Sequence, residues 1–382
     1  MNKELTTTTN GFMQTTKLIF TLLALFVLNV YGQSGDYYYI NNQFNVNRSS
    51  VTAFTSLVIM TPCPQSNEYQ DIYELDYTSA GSWIHRAIEE NGNQYFELVL
   101  DATELKAYQQ NFSVGYSFIQ HPKTIRTDFS QFKESSGKWK DLPDYDTTTD
   151  EYQDNCKRSG DIVVPENATI QRISEDIYSE CYGSRLAYAE KCYEYVASHY
   201  KYLYPNTGIH PLETLLSWGG GDCGNLSSIY ISLLRAKGIP ARHVVAVGAN
   251  NNFHVWAEFY IQEFGWVPVD VTNKNSNPKG NYFGTYNYDM VIVQKGVAMS
   301  YPTTKMGTQN LDLLQTYCYW YWYSTKANIT INQVITSKNV NYSGIEDTKA
   351  ASADTSVRKI VINGRLYIKR GDRLWTINGL HK

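Results

Sequence analysis

Along the first third of the chain, apolar and polar residues alternate with the spacing of β-strands. Residues 52–60, 95–100 and 112–118 carry the clearest runs, and Gly, Asn and Pro separate them. The pattern predicts a β-sandwich of immunoglobulin-like size over 33–140. Residues 141–164 are polar and acidic and predict a linker. The period then changes. Leu186, Ala189, Tyr193, Val196 and Tyr200 recur at steps of three and four, which predicts a helix from about Ser184. A second helix is predicted to start at Cys223, with Asp222 as its N-cap. Leu226, Ile229, Tyr230, Leu233 and Leu234 supply its buried stripe, and Gly238 and Pro240 stop it. Three strand-like runs follow at 241–247, 254–261 and 265–271. A helix followed by an antiparallel sheet is an α+β arrangement. The β-rich piece at 316–334, where Trp320 and Trp322 alternate with Tyr321 and Tyr323, is expected to close a catalytic domain spanning 165–340. Residues 341–356 are polar and predict a second linker. The end, 357–382, predicts a small β-hairpin module around Asn363-Gly364, with another turn at Arg370-Gly371-Asp372.

Lys17 precedes an apolar run from Leu18 to Val30, and Gly32 follows it. That is the layout of a signal peptide over residues 1–32. The run is too short for a comfortable membrane span, although an uncleaved anchor is the rival reading. Export to the periplasm, the cell surface or the medium is therefore expected, without stable membrane insertion.

The chain has 382 residues, 42% hydrophobic and 18% charged, so most of it should fold. A net charge of -4 argues against a nucleic-acid partner. The last 26 residues carry seven Lys or Arg against one Asp, so the tail is basic while the rest is acidic. The 32 tyrosines suit sheet surfaces, or a surface for stacking sugars or peptides. Six cysteines are present, at 63, 156, 181, 192, 223 and 318. Some could pair in an oxidising compartment, but their spacing does not say which. No His/Cys cluster has zinc-ligand spacing, and no calcium-loop pattern occurs, so neither metal nor cofactor is expected.

The chemistry concentrates in Gly219-Gly220-Gly221-Asp222-Cys223-Gly224-Asn225. A cysteine at the first turn of a helix meets exposed N–H groups and the positive end of the dipole, which favour a thiolate. The same N–H groups, Gly224 among them, can hold an oxyanion. The glycines would let a substrate backbone approach. A buried, inert helix-start cysteine fits this segment equally well. His254, on a predicted strand, and Asp270, at the end of the next, shift the balance. Side by side, the Asp can orient the imidazole through one ring nitrogen while the other faces the thiol. Glu258 is expected to face away from His254 or to lie on a polar rim, as a solvated strand residue. His210 and His243 are expected to be structural.

The stretches Gly221-Asp222-Cys223-Gly224, Leu234-Arg235-Ala236-Lys237-Gly238-Ile239-Pro240-Ala241-Arg242, His254-Val255-Trp256-Ala257-Glu258 and Gly265-Trp266-Val267-Pro268-Val269-Asp270 resemble the transglutaminase-like core, a relative of papain-type cysteine proteases. The resemblance is strong over about 165–300. The region upstream, with Pro62-Cys63-Pro64-Gln65-Ser66, resembles the sandwich that precedes this core in bacterial secreted members. The resemblance implies Cys223 as nucleophile, His254 as general base and acid, and Asp270 as orienting carboxylate. It implies a protein or peptide substrate and amide hydrolysis; protein cross-linking and a catalytically silent binding module are the alternatives. Papain-type enzymes place an amide side chain just before the cysteine, whereas Ser217 and Trp218 stand there in this chain. Trp218 could donate its indole N–H to the oxyanion, or could simply pack. The tail, Ile362-Asn363-Gly364-Arg365-Leu366-Tyr367-Ile368, resembles sorting modules of bacterial type IX secretion and implies contact with that machinery.

Overall fold

The ends of the folded chain come together to build one layer pair. In the computed structural model, residues 37–78, 81–203, 208–340 and 342 are described in full, and three C-terminal strands by their backbone. The signal-peptide expectation and most of the second linker lie outside the described residues. Six strands open the fold: β1 (Tyr37–Arg48), β2 (Phe54–Pro62), β3 (Gln70–Tyr77), β4 (Ser82–Ala87), β5 (Gln94–Asp101) and β6 (Asn111–Pro122). Two more come from far downstream, β11 (Cys318–Tyr323) and β12 (Ile329–Val340). The sheets run β12-β1-β6-β3 and β11-β2-β5-β4. Phe44 lies opposite Gln333 on one side and Val114 on the other, and Met60 lies opposite Cys318.

This corrects the expected boundaries, since the piece at 316–334 completes the sandwich and does not close a separate catalytic domain. Residues 141–164 are corrected too. Leu142, Ile162 and Val163 are buried in the core beneath the helices, beside Phe132 just upstream. Arg185 Nε donates to Asp141 Oδ1 at 3.0 Å, which fixes that stretch to a helix start. The apolar residues there are sparse, but Leu142, Ile162 and Val163 are buried and Tyr145 and Val164 pack partly buried against the same core, so a polar run is held in place.

Among the described residues seven α-helices occur, in chain order α1 (Ala102–Ala107), α2 (Asp150–Asn155), α3 (Ala168–Ser179), α4 (Arg185–His199), α5 (Leu212–Trp218), α6 (Cys223–Ala236) and α7 (Val271–Ser276). Ser184 caps α4 through a bond from the Ala187 N–H, as the spacing predicts. α6 is the central element. Leu226, Ile229, Tyr230, Leu233 and Leu234 are fully buried, and so are Ser227, Ser228 and Ser232. Those serines are tolerated because each hydroxyl donates to the carbonyl one turn back, at 2.9, 3.0 and 2.8 Å. The helix is thus enclosed on all sides and not only along one stripe.

Beside α6 stands an antiparallel sheet of β7 (Ala241–Gly248), β8 (Asn252–Ile261), β9 (Gly265–Val269) and β10 (Val291–Lys295), in the order β9-β8-β7-β10. All eight residues of β7 are buried. Ala257, Phe259, Val267 and Val269 join the core around α6. Val245, Val247, Val255, Val291 and Val293 instead join the core of the sandwich. The two layers therefore share apolar interior, and the sandwich is a structural wall of this sheet. The C-terminal strands β13 (Val357–Ile362), β14 (Arg365–Arg370) and β15 (Arg373–Thr376) form an antiparallel meander. Ile362 pairs with Arg365, the register a two-residue turn imposes.

Candidate active site

Glycines set the approach to α6. Gly219 ends α5 in the left-handed conformation, φ 70°, which glycine adopts without penalty. Gly220 pairs with Lys201 in a short parallel ladder, and a Cβ there would meet the Lys201 carbonyl oxygen at 2.0 Å. A Cβ on Gly221 would meet that of Asn225 at 2.4 Å. The chain's own turn at Gly219 and close approaches at Gly220 and Gly221 thus call for the three glycines.

Asp222 caps α6. Its Oδ1 accepts from the Asn225 N–H at 3.2 Å and from Asn225 Nδ2 at 2.8 Å, and its Oδ2 accepts from the Gly208 N–H at 2.9 Å. Asn225 Nδ2 also donates to the Gly208 carbonyl, and its Oδ1 accepts from the His210 N–H. Together these bonds clamp the 208–210 loop to the helix start. Asn225 opens an Asn-Leu-Ser glycosylation sequon but is fully buried, so it cannot be glycosylated in the folded chain. Burial raises the Asp222 pKa, against the opposing backbone bonds.

Cys223 follows at the first helical position, half-buried. It lines a cleft of about 810 Å³ together with Ile209, Gly224, Phe253, Val255 and Leu313. His254 lies on β8 and Asp270 just past the end of β9, where it caps α7 by accepting from the Asn273 N–H at 2.8 Å. His254 Nε2 and Asp270 Oδ2 are 2.7 Å apart, and both side chains are largely buried. Burial alone would lower the His254 pKa, but the Asp270 bond and charge, with Cys223 adding to them, push it up to about 10. Asp270 is also under opposing influences: burial raises it, and His254, Asn273 and Tyr288 bring it below the ordinary carboxylate range. Thus Cys223, His254 and Asp270 lie together.

Gly224 lines the cleft, and a Cβ there would meet Ile209 Cδ1 at 2.9 Å. Trp218 does not line the cleft: as the last residue of α5 it is 42% exposed and packs edge-on against His210, 5.0 Å between centroids. The turn at Gly219 separates it from the helix start. His243 is buried and bonded to Ser228 Oγ at 2.9 Å. Burial, with Arg235 nearby, depresses it to about 3, so it stays neutral.

The expectation of a solvated Glu258 is overturned. It is fully buried. Arg242 Nε donates to its Oε1 at 2.6 Å, Lys295 Nζ lies 3.5 Å away, and the Tyr69 hydroxyl donates to Oε2. His254, Trp256 and Glu258 alternate along β8, so they share one sheet face, and Tyr69 and Trp256 pack ring to ring between the charged groups.

Two residues at the site escaped the sequence reading. Asn273 Nδ2 and the Tyr288 hydroxyl each donate to Asp270 Oδ2 at 2.7 Å. Asn273, three residues past a helix cap, carries a weak signal; Tyr288 carries none, because it comes from a loop fifteen or more residues away. The strip Leu311, Leu313 and Gln315 also lines the cleft, brought there by the return of the chain to the sandwich. Among the described residues no cluster of His, Cys, Asp or Glu could hold a metal ion, and no helix is long and apolar enough to cross a membrane. All six cysteines are unpaired.

Residues 172–271 match the family model of the transglutaminase-like superfamily. Over 75 residues the chain is 37% identical to the uncharacterized protein YebA of Bacillus subtilis, covering 15% of this chain and 10% of that one. It is 33% identical over 90 residues to an uncharacterized protein of Haemophilus influenzae, covering 16% and 24%. The matches thus span a quarter or less of those relatives. A crystal structure from Cytophaga hutchinsonii, described as a candidate cysteine protease, shares the fold with TM-score 0.50 and 14% identity, over 84% of this chain and 95% of the other. At its centre, over residues 172–271, this chain carries a domain of the transglutaminase-like superfamily.

Proposed function

We propose that this chain is an exported thiol enzyme that transfers the acyl group of a peptide or glutamine-type amide to Cys223 and then to water. The observation that carries the reading is Cys223 at the mouth of a cleft and at the start of α6, with the His254–Asp270 pair beside it. The Cys223 thiolate attacks the amide carbonyl, and N–H donors of the first helical turn hold the oxyanion. His254 gives its proton to the leaving amine, a thioester forms, and the C–N bond breaks. His254 then takes a proton from water, which hydrolyses the thioester and returns the thiolate. Asp270 keeps the ring oriented and steadies its positive charge. No cofactor enters this chemistry. The substrate is a protein or peptide chain able to lie in the cleft. An amine in place of water would make the same site a cross-linker. Supplying a labelled primary amine with a glutamine peptide separates the two: release of acid without label in the product supports hydrolysis, and label in the product overturns it.

Export rests on the leader at 1–32, and the basic tail is assigned to the sorting step. Recovery of a chain lacking the leader from the medium would support this; retention of an intact leader in the cell would sink it.

Selective alkylation is a further expected result. Burial pushes Cys63, Cys156 and Cys318 up to about 12 and raises Cys181 and Cys192 as well. At neutral pH those five are thiols, and a thiol is a poor nucleophile. Limiting iodoacetamide should therefore modify Cys223 at least about tenfold faster than any other site. His254→Ala should slow that labelling by about tenfold or more. Label spread over several cysteines, or indifference to His254, would mean that no activated thiolate exists.

A further inference from the structure

We propose that Tyr288 is a positioning residue for the acyl transfer: its hydroxyl shares Asp270 Oδ2 with the His254 ring and thereby sets how tightly the carboxylate holds that ring. The proposal rests on the function proposed above. The Tyr288 hydroxyl donates to Oδ2 at 2.7 Å, and His254 Nε2 lies 2.7 Å from the same atom. Asn273 Nδ2 in turn donates to the Tyr288 hydroxyl at 2.7 Å, so the phenol is held from behind. Its ring is fixed by three edge-on contacts, with His254 at 5.6 Å, Trp256 at 5.7 Å and Tyr286 at 5.1 Å. Phenylalanine would satisfy those contacts equally. What only tyrosine adds is a proton donor aimed at the oxygen that the imidazole uses.

Three donors, the His254 ring, the Tyr288 hydroxyl and Asn273 Nδ2, divide the charge of this one oxygen. With Tyr288 in place, Asp270 stays ionised yet holds the imidazolium less strongly than a bare carboxylate would. A ring held too strongly in its charged form releases its proton slowly, and both half-reactions need that proton to move. His254 faces the carboxylate from β8 and Tyr288 from the loop after α7, with Cys223 of α6 beside the His254 ring and Tyr282 beside the Tyr288 hydroxyl. Tyr193 reaches the carboxylate from α4, where Lys274 of α7 pairs with Glu194 at 2.9 Å.

The test is Tyr288→Phe, with circular dichroism and melting to verify the fold. Alkylation of Cys223 by iodoacetamide is followed from pH 4 to 11, alongside turnover of a peptide amide. The step at which His254 loses its proton should move upward by about half a pH unit or more. The kcat should fall about three- to tenfold with KM unchanged. Asn273→Ala, which removes a second donor from Oδ2, should move the step the same way and serves if Tyr288→Phe does not fold. A purely structural tyrosine would leave the step where it was, and an unmoved or lowered step in a folded variant overturns the proposal alone. A wild-type Cys223 whose alkylation ignores His254→Ala overturns the acyl-transfer reading and this proposal with it.

Discussion

Cys223→Ala is expected to lower amide turnover on the order of 10⁴-fold or more while leaving the fold intact. A nucleophile and its base act as a unit, so removing either removes the covalent route altogether. What remains is binding and oxyanion stabilisation, which cannot replace the missing attack. The fold should survive because Cys223 is half-buried at the cleft. Losing one sulfur atom beside open solvent costs about 1 kcal/mol or less, since no closed cavity is left. The cap from Asp222 to the Asn225 N–H is untouched by the change. Turnover by a folded Cys223→Ala protein within about tenfold of wild type would end the assignment.

Glu258→Ala is expected to destabilise the chain by about 3–5 kcal/mol, because it leaves Arg242 facing a buried space without its counter-charge and Lys295 with Glu68 alone. A fall in melting temperature on the order of 10 °C follows. Replacing Glu258 and Arg242 together by apolar residues should recover much of the loss, since the desolvation cost of both ions then disappears. The pH dependence has a definite sign. Burial raises the Glu258 pKa, but Lys295 and Arg242 outweigh it, and the net shift is downward. A carboxylate with a lowered folded pKa contributes stability above the ordinary glutamate range and loses it as pH falls through the lowered value. Acid should therefore narrow the difference between wild type and Glu258→Ala. A difference that stays constant into acid, or a melting shift under about 2 °C, would show that the cluster does not hold the sheet.

His254 behaves in the opposite sense. Its folded pKa is raised, so its contribution to stability is complete below the ordinary histidine value and fades as pH rises toward about 10.

Much of the site was legible because its signals are local. Asp222 before Cys223 announces a helix start through capping chemistry that spans three residues. The stripe from Leu226 to Leu234 announces the buried helix by its period. His254 lies on one strand and Asp270 just past the end of the next, sixteen residues on, so one tight turn is enough to bring them together. Each of these relations is decided within a short length of chain, where covalent geometry leaves few choices.

Other relations were not legible, and each depends on distant chain. β1 pairs with β12 across nearly three hundred residues. Alternation predicts a strand, but not its partner, because any strand offers the same backbone donors and acceptors. Glu258 reads as an ordinary polar strand residue until Tyr69, Arg242 and Lys295 arrive from three other places. Trp218 could be read as an oxyanion donor or as a packing residue, and one left-handed glycine separates it from the helix start. Tyr288 is invisible because a tyrosine in a loop says nothing until a carboxylate lies 2.7 Å away. By itself the sequence determined the helices at Ser184 and Cys223, many of the strands, and the order of Cys223, His254 and Asp270, since propensity, capping and periodicity are local. Only the tertiary structure decided which strands close the sandwich, which charges are buried, and what surrounds Asp270, because burial and long-range pairing are properties of the packed chain.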